Sequence, residues 1–155
     1  MVQAPDDRRQ SERAFAIRSG TLRLLAARDC FALPEVTLVS GRRADLLGVS
    51  RTGEILIIEI KSSREDFRVD RKWPEYRAFC DRLFFATAPD VDEALFPLDA
   101  GLIIADAFGG AVLREAPVHP LAAATRKALL TRVSRLGAAR LTALSFSEAV
   151  IPQNL

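Results

Sequence analysis

The sequence predicts an α/β fold, a mixed β-sheet flanked by helices. Three observations predict it. Three strand-like runs follow one another around Gly41 and the tight turn Ser50-Arg51-Thr52-Gly53, which is the pattern of an antiparallel meander. A charged, partly helical stretch then leads to Leu83-Phe84-Phe85-Ala86-Thr87, an apolar run without alternation, which suits a parallel strand covered on both faces. Apolar residues at helical spacing mark both ends of the chain.

Taken in order, residues 1–8 are polar and read as a disordered lead-in. A helix is expected from Gln10 to Ala27, with Phe15, Ile17, Leu22, Leu24 and Leu25 as its apolar positions and Gly20 as a weak point. Residues 29–33 read as a connection, and Glu35 to Val39 as a short strand of good β-formers. Ala44 to Val49 and Glu54 to Ser62 complete the meander. Between Ser63 and Asp81, Pro74 is placed to open a helical turn, because proline is tolerated at a first position and not in the middle. Residues 101–105 and 111–114 read as two further strands joined by a turn at 106–110. A last helix from Leu121 to Leu141 carries the stripe Leu129, Leu130, Val133 and Leu136, with Lys127, Arg132 and Arg135 opposite. There is no internal repeat, low-complexity segment or domain boundary, so 155 residues read as one domain.

Composition narrows the function. The sequence is 49% hydrophobic, enough for a core, yet no run is long enough to cross a bilayer and no signal peptide opens it. Cys30 and Cys80 without a CxxC suggest neither a disulfide framework nor a zinc site, so a reducing, cytoplasmic setting is the default. Net charge is only +2, but it is unevenly spread. No acid lies between Glu115 and Glu148, where Arg126, Lys127, Arg132, Arg135 and Arg140 fall. That asymmetry fits one face for an anionic polymer, or simply a solvated helix face.

The chemistry concentrates in Asp45 and in Glu59-Ile60-Lys61. Alternation along a strand puts Ile57, Glu59 and Lys61 on one face. Charged groups beside a run of isoleucines need partners, and a divalent cation would serve the acids. Hydrolysis of a phosphodiester needs an activated water and stabilised negative charge. Mg²⁺ held by two or three carboxylates supplies both, and a lysine pointing the same way can orient the nucleophile or neutralise developing charge. An acid–x–Lys on an edge strand could equally be a cross-strand ion pair.

Asp45 followed by Glu59-x-Lys61, in this element order, resembles the PD-(D/E)XK nucleases of restriction-endonuclease-like fold, with an αβββαβ core. Ala44 stands where the motif's name has proline. More narrowly, Gly41-Arg42-Arg43-Ala44-Asp45, Glu59-Ile60-Lys61-Ser62-Ser63, Asp66-Phe67-Arg68, Asp70, Lys72-Trp73, Tyr76, Phe79-Cys80-Asp81 and Gly101-Leu102-Ile103 resemble the MmcB family, small bacterial proteins tied to DNA repair. The resemblance covers most of the chain from Leu33 to about Leu141.

It implies metal ligation by Asp45 and Glu59, with Mg²⁺ or Mn²⁺ as the ion and Lys61 beside it. It adds a further acid for which Glu12 and Glu35 compete. DNA is the implied partner, with other repair proteins and, by superfamily habit, a second copy of the chain. Arg42 and Arg43 could hold phosphates or blunt a strand edge. Lys72, Trp73 and Tyr76 could meet DNA, or the two aromatics could be core. Arg132 and Arg135 could guide the backbone. Ser62 and Ser63 could bind a phosphate or cap the next helix. His119, in a loop before Pro120, reads as structural. Three functions stay open: a DNA-repair endonuclease, a nuclease-fold DNA-binding or adaptor module without turnover, and an RNA endonuclease.

Overall fold

The computed structural model describes residues 5–146. Helix α1 (Pro5–Ala27) leads into strands β1 (Cys30–Thr37), β2 (Arg43–Ser50) and β3 (Ile55–Ile60). Short helix α2 (Arg64–Val69) and a 3₁₀ segment (Trp73–Phe79) carry the chain to β4 (Arg82–Thr87). Strands β5 (Gly101–Ala105) and β6 (Gly110–Arg114) and helix α3 (Ala123–Ser145) complete the order. Among the described residues, six strands form one sheet in the order β1-β2-β3-β4-β5-β6. The β1, β2 and β3 pairings are antiparallel, β3–β4 and β4–β5 are parallel, and β5–β6 is antiparallel. The expected α/β class, meander and crossover are all present.

Strand alternation sorts the core into two faces. Leu46, Ile58, Phe84 and Ile103 point toward α1, where Ile17 and Leu25 meet them. Leu47, Ile55, Ile57 and Leu83 point the other way, where Tyr76 and Leu129 close over them. Leu130, Val133 and Leu136 of α3 pack on that second face, as their spacing predicts. Cys30 and Cys80 are free thiols in the two different clusters, so neither can reach the other through the sheet.

Three stretches differ from the sequence reading. Helix α1 starts at Pro5, not at Gln10, with proline at a position that needs no N–H. The lead-in expectation fails for residues 5–8, and residues 1–4 lie outside the described residues. Strand β1 begins at Cys30, inside the expected connection, because Cys30 to Pro34 pair with Ser50 to Leu46. Pro34 is tolerated there because β1 is an edge strand. The charged stretch after β3 is two short helical pieces. Ser63 caps α2 by accepting from the Asp66 N–H (3.1 Å), and Asp66 Oδ2 reaches back to accept from the Ser62 N–H (3.0 Å), one residue before the cap. Capping is thus the role Ser63 takes.

Gly20 is not a weak point but a requirement. A β-carbon there would collide with the backbone carbonyls of Asp106 and Gly109, where α1 crosses the β5–β6 turn. Helix propensity alone would make Gly20→Ala stabilising by about 1 kcal/mol. The collision with backbone reverses the sign, and a net loss of about 1–3 kcal/mol is expected from overpacking. A urea melt showing Gly20→Ala as stable as wild type would contradict this packing.

Candidate functional site

The β2–β3 ladder runs from Val49/Ile55 to Leu46/Ile58 and stops. Beyond it the strands part, and side chains take over from the ladder. The Ile60 N–H donates to Asp45 Oδ2 at 2.8 Å, and the Asp45 N–H donates to Glu59 Oε1 at 3.2 Å. The two carboxylates expected to meet are therefore fixed at the fork, Glu59 on the Asp45 amide and Asp45 on the Ile60 amide. The other oxygen of each, Asp45 Oδ1 and Glu59 Oε2, takes no hydrogen bond from a described residue.

Lys61 follows Glu59 on the same face and is 6% exposed, while Glu59 is 4% exposed. Its Nζ donates to Asp70 Oδ2 at 2.6 Å, and Asp70 Oδ1 accepts from the Lys72 N–H at 2.9 Å. Tyr76 floors the site and donates its hydroxyl to the Arg43 carbonyl at 2.9 Å. Arg13 ties α1 to the same corner: its Nε donates to the Ser62 carbonyl at 2.7 Å and its guanidinium pairs with Asp90.

Burial and charge set the protonation states. Burial, and then the Asp45 charge, push Glu59 up to about 8. Burial also raises Asp45 above the usual carboxylate range, against the Ile60 N–H and Lys61. Two adjacent carboxylates that both resist ionising want a proton or a cation between them. Burial would lower Lys61, but the Asp70 hydrogen bond and charge outweigh it and hold the ammonium above its ordinary value. Asp70 lies below its ordinary value, with the Lys61 and Lys72 hydrogen bonds outweighing its burial. Lys61 is thus a fixed positive charge with two of its three donors unspent.

The donor set suits a hard cation. Asp45 and Glu59 each keep one carboxylate oxygen that takes no hydrogen bond from a described residue, and no group of three His, Cys, Asp or Glu among the described residues makes an all-protein cage. Few protein ligands and several waters are the habit of Mg²⁺ rather than of zinc. The extra acids do not complete a third ligand. Glu12 is exposed on α1. Glu35 does border Asp45, and both line a cavity of about 300 Å³ with Ser11, Phe15 and Arg18. Its backbone sits at φ 53°, in the left-handed region that non-glycine residues rarely adopt, and its carboxylate lies 3.9 Å from Arg43. Residues in such conformations concentrate at functional sites.

Several expected nucleic-acid contacts have other employment. Tyr76 is 7% exposed, and Trp73 lies edge-on to Phe85 with Arg77 over its ring, so packing is the duty of both. Arg42 pairs with Glu75 at 2.8 Å, and Arg43 is exposed beside Glu35. On α3, Arg132 donates to the Thr37 carbonyl at 2.8 Å, and Arg140 donates to the carbonyls of Pro34 and Glu35. These arginines cover the edge of β1, which explains much of the acid-free stretch without any polymer. Arg135 and Lys127 stay exposed, as do Arg68, Arg71 and Lys72 around Asp70. Sequence reasoning missed Asp70 as the partner of Lys61. Its only signal was a place in the run that carries the family resemblance. His119 donates its backbone N–H to the Asp81 carbonyl at 2.8 Å.

The family model for DNA repair proteins of MmcB-like type matches residues 2–148. The chain belongs to the MmcB-like DNA repair protein family. A solved structure of similar fold is a protein of unknown function from Silicibacter pomeroyi, 37% identical, covering 92% of this chain and 97% of that one, with a TM-score of 0.87. A search of curated proteins gives no match. Membership supports a role of this MmcB-like chain in DNA repair. No helix among its described residues is long and apolar enough to cross a membrane.

Proposed function

We propose that this MmcB-like protein is a divalent-metal-dependent DNA endonuclease of the PD-(D/E)XK type, hydrolysing phosphodiester bonds in repair. The observation that carries the reading is the fork between β2 and β3. There the Asp45 N–H donates to Glu59 Oε1, each carboxylate keeps one oxygen that takes no hydrogen bond from a described residue, and the buried Lys61 stands two residues beyond Glu59. Asp45 and Glu59 would hold Mg²⁺ or Mn²⁺. When bound, such an ion lowers the pKa of a coordinated water and offsets phosphate charge.

The protein's own residues do the rest. Lys61 stays charged, so it acts not as a base but as a donor that orients the attacking water and stabilises charge on the phosphate oxygens. Asp70 positions that ammonium and Tyr76 fixes the strand end at Arg43. Arg43, Arg68, Arg71 and Lys72 are exposed cations available to DNA phosphates.

A labelled branched, single-stranded or nicked DNA, and an RNA of the same sequence, provide the test. Wild type should cut DNA with Mg²⁺ or Mn²⁺ and not with EDTA, and Asp45→Ala should lose at least about a hundredfold in rate. One observation favours a second reading, a DNA-binding module without turnover: Lys61 is held by Asp70 at 2.6 Å. Salt-dependent DNA binding with no cleavage of any substrate would establish that reading instead.

A further inference from the structure

The cavity that Asp45 lines on the α1 side has an unusual wall. Phe15 projects from α1 with 61% of its surface exposed, and the Arg18 guanidinium sits over its ring, 5.2 Å from the centroid. Isolated exposed apolar residues are ordinary. This one borders a 300 Å³ cavity whose other side is Asp45, a carboxylate of the proposed hydrolytic site. Elsewhere α1 buries its apolar positions, with Ile17 at 1% and Leu25 at 3% exposure.

An aromatic face beside a cation, opening on a phosphate-handling site, suits a nucleobase. Base–aromatic stacking is sequence-tolerant, because every base has a π-face. It requires a base whose own face is open. Within a duplex, both faces of each base are covered by its neighbours, so a Phe15 stack selects an unpaired nucleotide. Resting on the nuclease reading, we propose that Phe15, with Arg18, stacks an unpaired base across the cavity from Asp45, beside the phosphate to be cut, making single-stranded DNA the substrate class. Arg18 then contributes a cation to both the stack and the strand's backbone.

The test separates stacking from cleavage. Fluorescence anisotropy is read in EDTA on the Asp45→Asn background, which removes turnover and relieves repulsion between Asp45 and phosphate. The probes are labelled oligodeoxythymidine and the same strand paired with oligodeoxyadenosine. The parent should prefer the single strand. Adding Phe15→Ala should weaken that binding by about tenfold or more and leave duplex binding unchanged. Phe15→Trp should retain it, and Phe15→Leu should not. The exposed position makes unfolding of these variants unexpected, and matching thermal melts check it. The proposal is overturned if Phe15→Ala binds the single strand within about twofold of its parent, or if leucine serves as well as tryptophan. It is also overturned if the parent does not bind oligodeoxythymidine. Failure of the nuclease reading shows elsewhere, as absence of metal-dependent cutting by the wild-type protein.

Discussion

Lys61→Met is expected to lower the rate of DNA cleavage by about 10²–10⁴-fold while changing Mn²⁺ affinity by no more than a few-fold. The reason is positional. Lys61 lies two residues beyond Glu59 on the same face and contributes no metal ligand. Methionine keeps the aliphatic stem in its buried place and removes only the charge. Asp70→Asn is the companion variant, since it leaves Lys61 in place but loosens it. A smaller loss, about tenfold, is expected there. Single-turnover cleavage beside a metal titration reads both quantities. Equal losses of rate and metal affinity in Lys61→Met would mean that the lysine only supports the fork.

Asp81→Ala is expected to cost about 3–5 kcal/mol of stability, the largest effect of any change outside the fork. Asp81 is 2% exposed and joins three elements. Its Oδ2 accepts from the Ile55 N–H at 2.7 Å, at the start of β3, and its Oδ1 accepts from the Leu121 N–H at 2.9 Å, ahead of α3. Arg126 closes on both oxygens at 2.6 and 2.7 Å. Removing the carboxylate orphans two amides and a guanidinium at once. For a domain of this size the loss corresponds to a fall in Tm of roughly 6–20 °C.

The same group sets an acid limb. Burial would raise Asp81, but Arg126 and the two amides bring it down to about 2. A depressed carboxylate contributes stability above its unfolded pKa, and that contribution is lost as pH falls from about 4 through about 2. With 29% of the Arg126 side chain exposed and solvent screening part of the interaction, about 1–2 kcal/mol should vary over that window. Denaturant melts across pH 2–5 should show it in wild type and not in Asp81→Ala. A variant as stable as wild type at pH 7 would contradict the junction.

What the sequence discloses divides along physical lines. Strand β3 was legible because Ile55 to Ile60 combines β-branched residues with a period-two break at Glu59. The parallel β4 was legible because Leu83 to Thr87 is buried on both faces, leaving no alternation to mislead. Strand β1 was not, since Asp29 and Pro34 look like breakers and only pairing with β2 makes Cys30 to Pro34 extended. The Asp45–Glu59 meeting followed from register, a local property of a hairpin. Lys61 with Asp70 did not, because the contact spans a short helix whose course no spacing fixes. The arginines of α3 carried the right period and an ambiguous message, because edge-strand carbonyls and DNA phosphates attract the same guanidinium groups. Trp73 and Tyr76 were ambiguous in the same way, and packing claimed both.

Isothermal titration of the metal-free protein with Mn²⁺ at pH 7 probes the fork most directly. Wild type should take up the ion and release protons to the buffer, because Glu59, held near 8 without a cation, must ionise to coordinate. Asp45→Asn and Glu59→Gln should each weaken uptake by more than about tenfold. No uptake by wild type, or uptake that both variants preserve, would contradict a metal site where β2 and β3 part.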